Sequence, residues 1–101
     1  MFKNKQSIAD FLVSSGMSSL GYKFINLDDC WADYNRSSDG SIRPDPKRFP
    51  NGMKKVADYL HSKGLYFGLY TDVGEKTCRR GRLGFTVYNF FYFFLLFFFL
   101  I

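Results

Sequence analysis

Histidine and tryptophan occur once each, and cysteine twice, in this chain of 101 residues. Each scarcity excludes something. Cys30 and Cys78 are too few and too far apart to build a zinc site. Pairing with each other, pairing with cysteines outside this sequence, and free thiols all stay open. The lone His61 falls near the end of a helical stretch, where a favourable helix terminus accounts for it better than catalysis does. Acidic residues are also short: 9 Asp and Glu face 14 Lys and Arg, a formal net charge of +5. The excess is spread over Lys3, Lys5, Lys47, Arg48, Lys54 and Lys55, with one denser group at Arg79, Arg80 and Arg82. Basicity this diffuse reads as a solvated surface, and no zinc finger, basic helix or aromatic-interleaved strand accompanies it. No nucleic-acid partner is expected. The N-terminal "MFKNKQSIADFL" carries an early charge but no apolar core followed by small residues, so no signal peptide is expected.

Charge vanishes altogether from Phe85 onward. That stretch reads "FTVYNFFYFFLLFFFLI" and holds eight of the 13 phenylalanines. Composition therefore divides the chain into residues 1–84, which look like part of an ordinary soluble protein, and an apolar tail over 85–101. About 17 residues at ~1.5 Å each reach ~25 Å, the short end for a membrane core of ~30 Å. The tail reads either as a membrane segment flanked by Arg79, Arg80 and Arg82, or as translated intron, since a thymine-rich intron encodes runs of Phe and Leu. A chain of this length fits one small domain of marginal stability.

In residues 6–20, "QSIADFLVSSGMSSL", the apolar residues Ile8, Phe11 and Leu12 recur at helical spacing, with Gly16 and Gly21 as the break and the turn. "YKFINLD" follows as a short aromatic and β-branched run, the pattern of a strand buried on both faces in a parallel sheet. Residues 32–50 are a polar loop punctuated by Asp-Gly, Arg-Pro and Phe-Pro. "NGMKKVADYLHSKG" then places Met53, Val56, Ala57 and Leu60 on one helix face, with Asn51 as cap and Gly64 as stop. "LYFGLYT" forms a second strand. Helix, strand, loop, helix, strand is the alternation of an α/β protein with parallel strands and helical crossovers. Two strands alone do not complete such a sheet, so the soluble part reads as a piece of a larger α/β sheet or barrel.

The first strand ends in "DDCWAD". Neighbouring residues on a regular strand point to opposite faces, so Asp28 and Asp29 converge only where the strand ends and the chain turns. The C-terminal ends of parallel strands are where open α/β sheets and (β/α) barrels hold their sites. The second strand ends in the same sense with Tyr70, Thr71 and Asp72. Carboxylates accept bonds from vicinal hydroxyls, and aromatic rings pack on the apolar faces of sugars. Asp28, Asp29, Trp31 and Tyr70 therefore suit a neutral polyol or monosaccharide. They suit a phosphate poorly, since no arginine or glycine cradle accompanies them. Two further readings stay open: the Asp pair caps the following turn, or it contributes to a divalent metal site, which wants more oxygen ligands than this stretch supplies. Asn35-Arg36-Ser37 is an acceptor sequon for N-glycosylation, relevant in a secreted chain.

"LGYKFINLDDCWAD", "DGSIRPDPKRFPNGMKKVADYLHSKGL" and "FGLYTDVGEKTC" resemble the N-terminal part of the α-galactosidases, or melibiases, of glycoside hydrolase family 27. The resemblance runs from about Ser7 to Cys78. It implies the N-terminal portion of a (β/α)8 TIM barrel, incomplete, with the apolar tail lying outside the family pattern. It implies that Asp28, Asp29 and Tyr70 bind galactose hydroxyls. Cys30 and Cys78 match cysteines that in the family bond to partners this sequence does not contain. Family members hydrolyse terminal α-linked galactose by a retaining mechanism, with a nucleophile and an acid/base that are both carboxylates. In the family these lie on later strands, and no segment here matches them, so no catalytic residue is assigned. No cofactor or metal is implied. The resemblance implies a galactose-containing glycoside as partner of the full-length enzyme and a secreted or lysosomal location, and leaves open dimerisation of a full-length member and N-acetylgalactosamine in place of galactose. Three functions compete: an α-galactosidase fragment inactive as it stands, a tail-anchored membrane protein, and a sugar-binding module that does not cleave.

Overall fold

Met53, Val56, Ala57 and Leu60 are all buried on helix α2, Gly52–Ser62, in the computed structural model, which describes residues 2–79 and 81–86. The helix stops as its sequence expects. Gly64 takes a left-handed φ of 71°, its N–H donates to the His61 carbonyl at 2.9 Å, and the Leu65 N–H donates to the Leu60 carbonyl at 3.0 Å. These two bonds make a Schellman ending and satisfy carbonyls the helix leaves over. Asn51 occupies the N-cap position without a side-chain cap bond.

Four residues later the chain is a strand. β2 (Tyr66–Leu69) lies parallel to β1 (Phe24–Leu27), with Phe24 opposite Tyr66 and Leu27 opposite Leu69. The order is α1 (Phe2–Ser14), a 3-10 turn over Met17–Leu20, β1, α2, β2, an α/β unit with α2 in the crossover. The β1 residues Ile25 and Leu27, each 6% exposed, meet Leu60 and Leu65 of the α2 side in one core, with Trp31 and Phe49 closing it.

Two local expectations are corrected. The apolar face of α1 does not bury as its spacing implied: Ile8 and Phe11 are exposed, while Ala9 is fully buried and Leu12 packs partly on the core. Polar contacts account for the rotation. Asp10 accepts from the Tyr59 hydroxyl at 2.7 Å and pairs with Lys63 Nζ at 3.0 Å, which turns the Ala9–Asp10 side of α1 towards α2. The second correction concerns β1, which buries one face only. Phe24 is 67% exposed and stacks on Tyr66 with centroids 4.9 Å apart, and Asn26 is exposed beside Gly68. The Asn26 amide fills the space a Cβ at Gly68 would need. Among the described residues nothing covers this face, because both helices lie on the other.

After β2 the chain forms a short clasp. The Thr77 N–H donates to the Arg82 carbonyl at 3.0 Å and the Gly84 N–H to the Glu75 carbonyl at 2.9 Å. Phe85, the first residue beyond the break in composition, is itself packed: it is 8% exposed and its N–H donates to the Asp72 carbonyl at 2.7 Å. Among the described residues no helix is long and apolar enough to cross a membrane. The expected membrane segment falls almost entirely on residues outside those described.

Candidate functional site

The two strands end side by side. The Tyr70 N–H donates to the Leu27 carbonyl at 2.9 Å, so the residue leaving β2 is bonded to the last residue of β1. Asp28 and Asp29 follow immediately. Here the chain turns out of the strand: the Asp29 N–H donates to Asp28 Oδ1 and the Cys30 N–H to Asp29 Oδ1, both at 2.6 Å. Cys30 has φ 73°, the one positive φ among the described non-glycine residues, a conformation that costs free energy and persists only where neighbours enforce it. Asp28 is exposed and Asp29 half-buried. Asp29 Oδ2 also accepts, weakly at 3.4 Å, from the Arg79 N–H of the clasp.

Tyr70 stands on the other strand end, where its hydroxyl donates to Asp72 Oδ2 at 2.9 Å. This bond to Asp72, reinforced by partial burial and by the nearby charges of Asp72, Asp29 and Cys78, pushes the phenol up to about 12. The phenol therefore stays protonated at every physiological pH. Trp31 locks the two ends together. Its indole Nε1 donates to the Tyr70 carbonyl at 2.7 Å, and the side chain is 8% exposed. The tryptophan therefore supports the rim from beneath and does not stand in it as a sugar-stacking surface, which corrects the expectation drawn from its position after the acids.

Sequence reasoning missed the residues that hold this turn. Arg48, expected to belong to a solvated face, donates from Nη1 to the Cys30 carbonyl at 2.8 Å. Arg82, grouped with a surface basic cluster, is 4% exposed. It donates from Nη1 to the Ala32 carbonyl at 2.7 Å and to Asp45 Oδ2 at 2.8 Å, and its guanidinium lies 3.9 Å from the Tyr34 ring centroid. Asp45 is buried. Burial raises its carboxyl, but the Arg82 bond and the Lys47 and Arg48 N–H groups outweigh that and hold it below the usual carboxylate value. The one signal available was "PDPKR", in which an Asp two residues before a free N–H reads as an Asx turn. Neither guanidinium target was visible, since both lie far away in sequence.

Cys30 and Cys78 are unbridged, half-buried and exposed respectively. Asn35 is exposed on the loop. Among the described residues no three His, Cys, Asp or Glu side chains gather as metal ligands do. The arrangement is thus a rim of carboxylates and a protonated phenol at parallel strand ends, able to accept hydrogen bonds from hydroxyl groups.

A family profile described as alpha galactosidase A matches residues 2–91. The chain belongs to the α-galactosidase family. The α-galactosidase of Coffea arabica is 54% identical over 79 residues, covering 75% of this chain and 21% of that enzyme. The α-N-acetylgalactosaminidase of Gallus gallus is 49% identical over 71 residues, covering 70% of this chain and 18% of that enzyme. Among solved structures, an α-galactosidase of Saccharomyces cerevisiae with raffinose superimposes with a TM-score of 0.78 at 43% identity, over 83% of this chain and 18% of that one. The chain spans about a fifth of the length of the α-galactosidases it matches. The resemblance read from the "DDCWAD", "FPNGM" and "YTDVGEKTC" segments is borne out at the level of family, and the α/β architecture with it.

Proposed function

We propose that this chain carries the galactose-recognising rim of an α-galactosidase, and that Asp28, Asp29 and Tyr70 bind hydroxyls of a terminal α-linked galactose. The observation that carries the reading is the juxtaposition of the Asp pair with Tyr70 at the C-terminal ends of two bonded parallel strands. In this reading the unit is the first portion of a (β/α)8 barrel, as the family resemblance implies, and the uncovered Phe24–Tyr66 face lines its interior. Hydrolysis with retention needs a nucleophile and an acid/base on separate carboxylates. Asp28 and Asp29 are neighbours held by their own turn, so they bind and do not perform that pair of roles. In this reading the 101 residues supply part of the sugar site and do not cleave the glycosidic bond by themselves.

Isothermal titration of the chain with D-galactose tests this. Saturable binding that Asp29→Asn weakens at least tenfold, together with no turnover of an aryl α-galactoside, is the expected outcome. Turnover by the chain, or binding indifferent to Asp29→Asn, overturns it. A parallel titration with N-acetylgalactosamine tells the two sugars of the family apart. The same reading has Cys30 and Cys78 bonded to different cysteines beyond this sequence, Asn35 glycosylated in a secreted or lysosomal full-length protein, and residues 85–101 outside the sugar-binding unit.

A further inference from the structure

Three successive carbonyls behind the acid pair are each captured by a separate donor. Cys30 O accepts from Arg48 Nη1 at 2.8 Å, Trp31 O from the Asp45 N–H at 2.8 Å, and Ala32 O from Arg82 Nη1 at 2.7 Å. One residue links all three donors. The Asp45 backbone supplies the middle one, and its Oδ2 pairs with Arg82 at 2.8 Å and faces Arg48 Nε at 3.8 Å. Its other oxygen, Oδ1, accepts from the Lys47 N–H at 2.9 Å and the Arg48 N–H at 3.3 Å, which fixes the carboxylate itself. The captured carbonyls begin at Cys30, the residue with φ 73° that directs the chain away from Asp29.

We infer that Asp45 is a positioning residue for galactose: by orienting Arg48 and Arg82 it enforces the left-handed turn at Cys30 and so sets the separation of Asp28 and Asp29 from Tyr70. The inference rests on the sugar-binding reading and adds to it a residue that touches no sugar. Asp45 and Arg82 lie 37 residues apart, so the carboxylate works as a tie between two segments and not as a local turn former alone. Removing its charge leaves two guanidiniums, one of them buried, without their shared counter-ion. Each is then free to leave its carbonyl, and the strained turn relaxes.

Trp31, read in the folded baseline well below each variant's denaturant midpoint, provides a readout that a loss of stability alone leaves unchanged. As the one tryptophan of the chain, lying between two of the captured carbonyls, it reports the turn through its emission maximum and its accessibility to acrylamide. In Asp45→Asn the emission is expected to shift to the red and the galactose affinity to fall about tenfold, the scale of one lost charge-assisted bond. Arg48→Met, which removes the Cys30 contact and the long Arg48–Asp45 pair while leaving Arg82 on Asp45, produces the same changes at smaller amplitude and guards against a misfolded Asp45 variant. Lys54→Ala, which breaks the exposed Lys54–Asp58 pair, alters neither. Unchanged Trp31 emission in both Asp45→Asn and Arg48→Met overturns the inference, as does wild-type galactose affinity in both. A wild-type chain that ignores galactose counts against the sugar-binding reading alone, and the Trp31 emission then decides whether Asp45 shapes the turn.

Discussion

At the scale of single residues, Tyr70 makes the sharpest prediction. Its phenol is raised from 10.0 to about 12 by its bond to Asp72. A group raised on folding contributes stability that is whole below its unfolded value and is lost as pH climbs through the folded one. The Tyr70–Asp72 contact is therefore intact up to about pH 10 and fails between there and about 12. Ultraviolet tyrosinate titrations of the wild type and of Tyr70→Phe are expected to differ by one phenol ionising at about 12. Identical high-pH limbs in the two contradict the assignment. The place of Asp28, Asp29 and Tyr70 at neighbouring strand ends was legible in the sequence, because strand periodicity and the abrupt change to acids mark where a strand stops. Arg82 was not legible. Its burial depends on Asp45 and Tyr34, and no pattern in "RRGRLGF" distinguishes an arginine under an aromatic ring from an exposed one such as Arg79.

At the scale of elements, α2 is set by its own sequence and β1 by its neighbours. The i, i+3, i+4, i+7 spacing from Met53 to Leu60 named the buried face of α2 correctly, and Gly64 named its end. The corresponding reading of α1 named Ile8 and Phe11, and the structure buries Ala9 instead. The difference lies in tertiary contacts: α2 packs its apolar face on β2 and the core, whereas α1 meets the α2 side through Asp10, Tyr59 and Lys63, so polar geometry decides which side turns inward. Pairing between the strands shows a similar dependence at Asn26 and Gly68. Gly68→Ala pushes a methyl into the Asn26 amide and is expected to destabilise by about 1–3 kcal/mol. In an Asn26→Ala background the same change is expected to be close to neutral, so chemical denaturation of the four-member cycle gives a coupling near the whole single-mutant effect. Simple additivity in that cycle rules out the contact.

At the scale of the molecule, the described residues share one core on one side of a two-stranded sheet. Leu60 and Leu65, each 1% exposed, sit at its centre. Leu60→Ala is expected to cost about 3 kcal/mol, a large share of the ~5–15 kcal/mol that holds a typical domain together. Ile8→Ala, at an exposed position on α1, is expected to stay within about 0.5 kcal/mol. Denaturant midpoints measured on both variants check the contrast, and equal losses refute the one-sided core. The α/β alternation was readable before the structure because each element carries its own period. The uncovered face of β1 was not, since an apolar strand looks the same in sequence whether one flank or two are covered.

Ala32 and Arg82 are separated by 50 positions, and that spacing bears on synthesis. A ribosome releases the two acids well before it releases the arginine that helps to secure the bend behind them. Under the proposed reading, a nascent polypeptide halted between those points carries both acids but not the fastening that aligns them, so the rim takes its shape only after Arg82 has emerged.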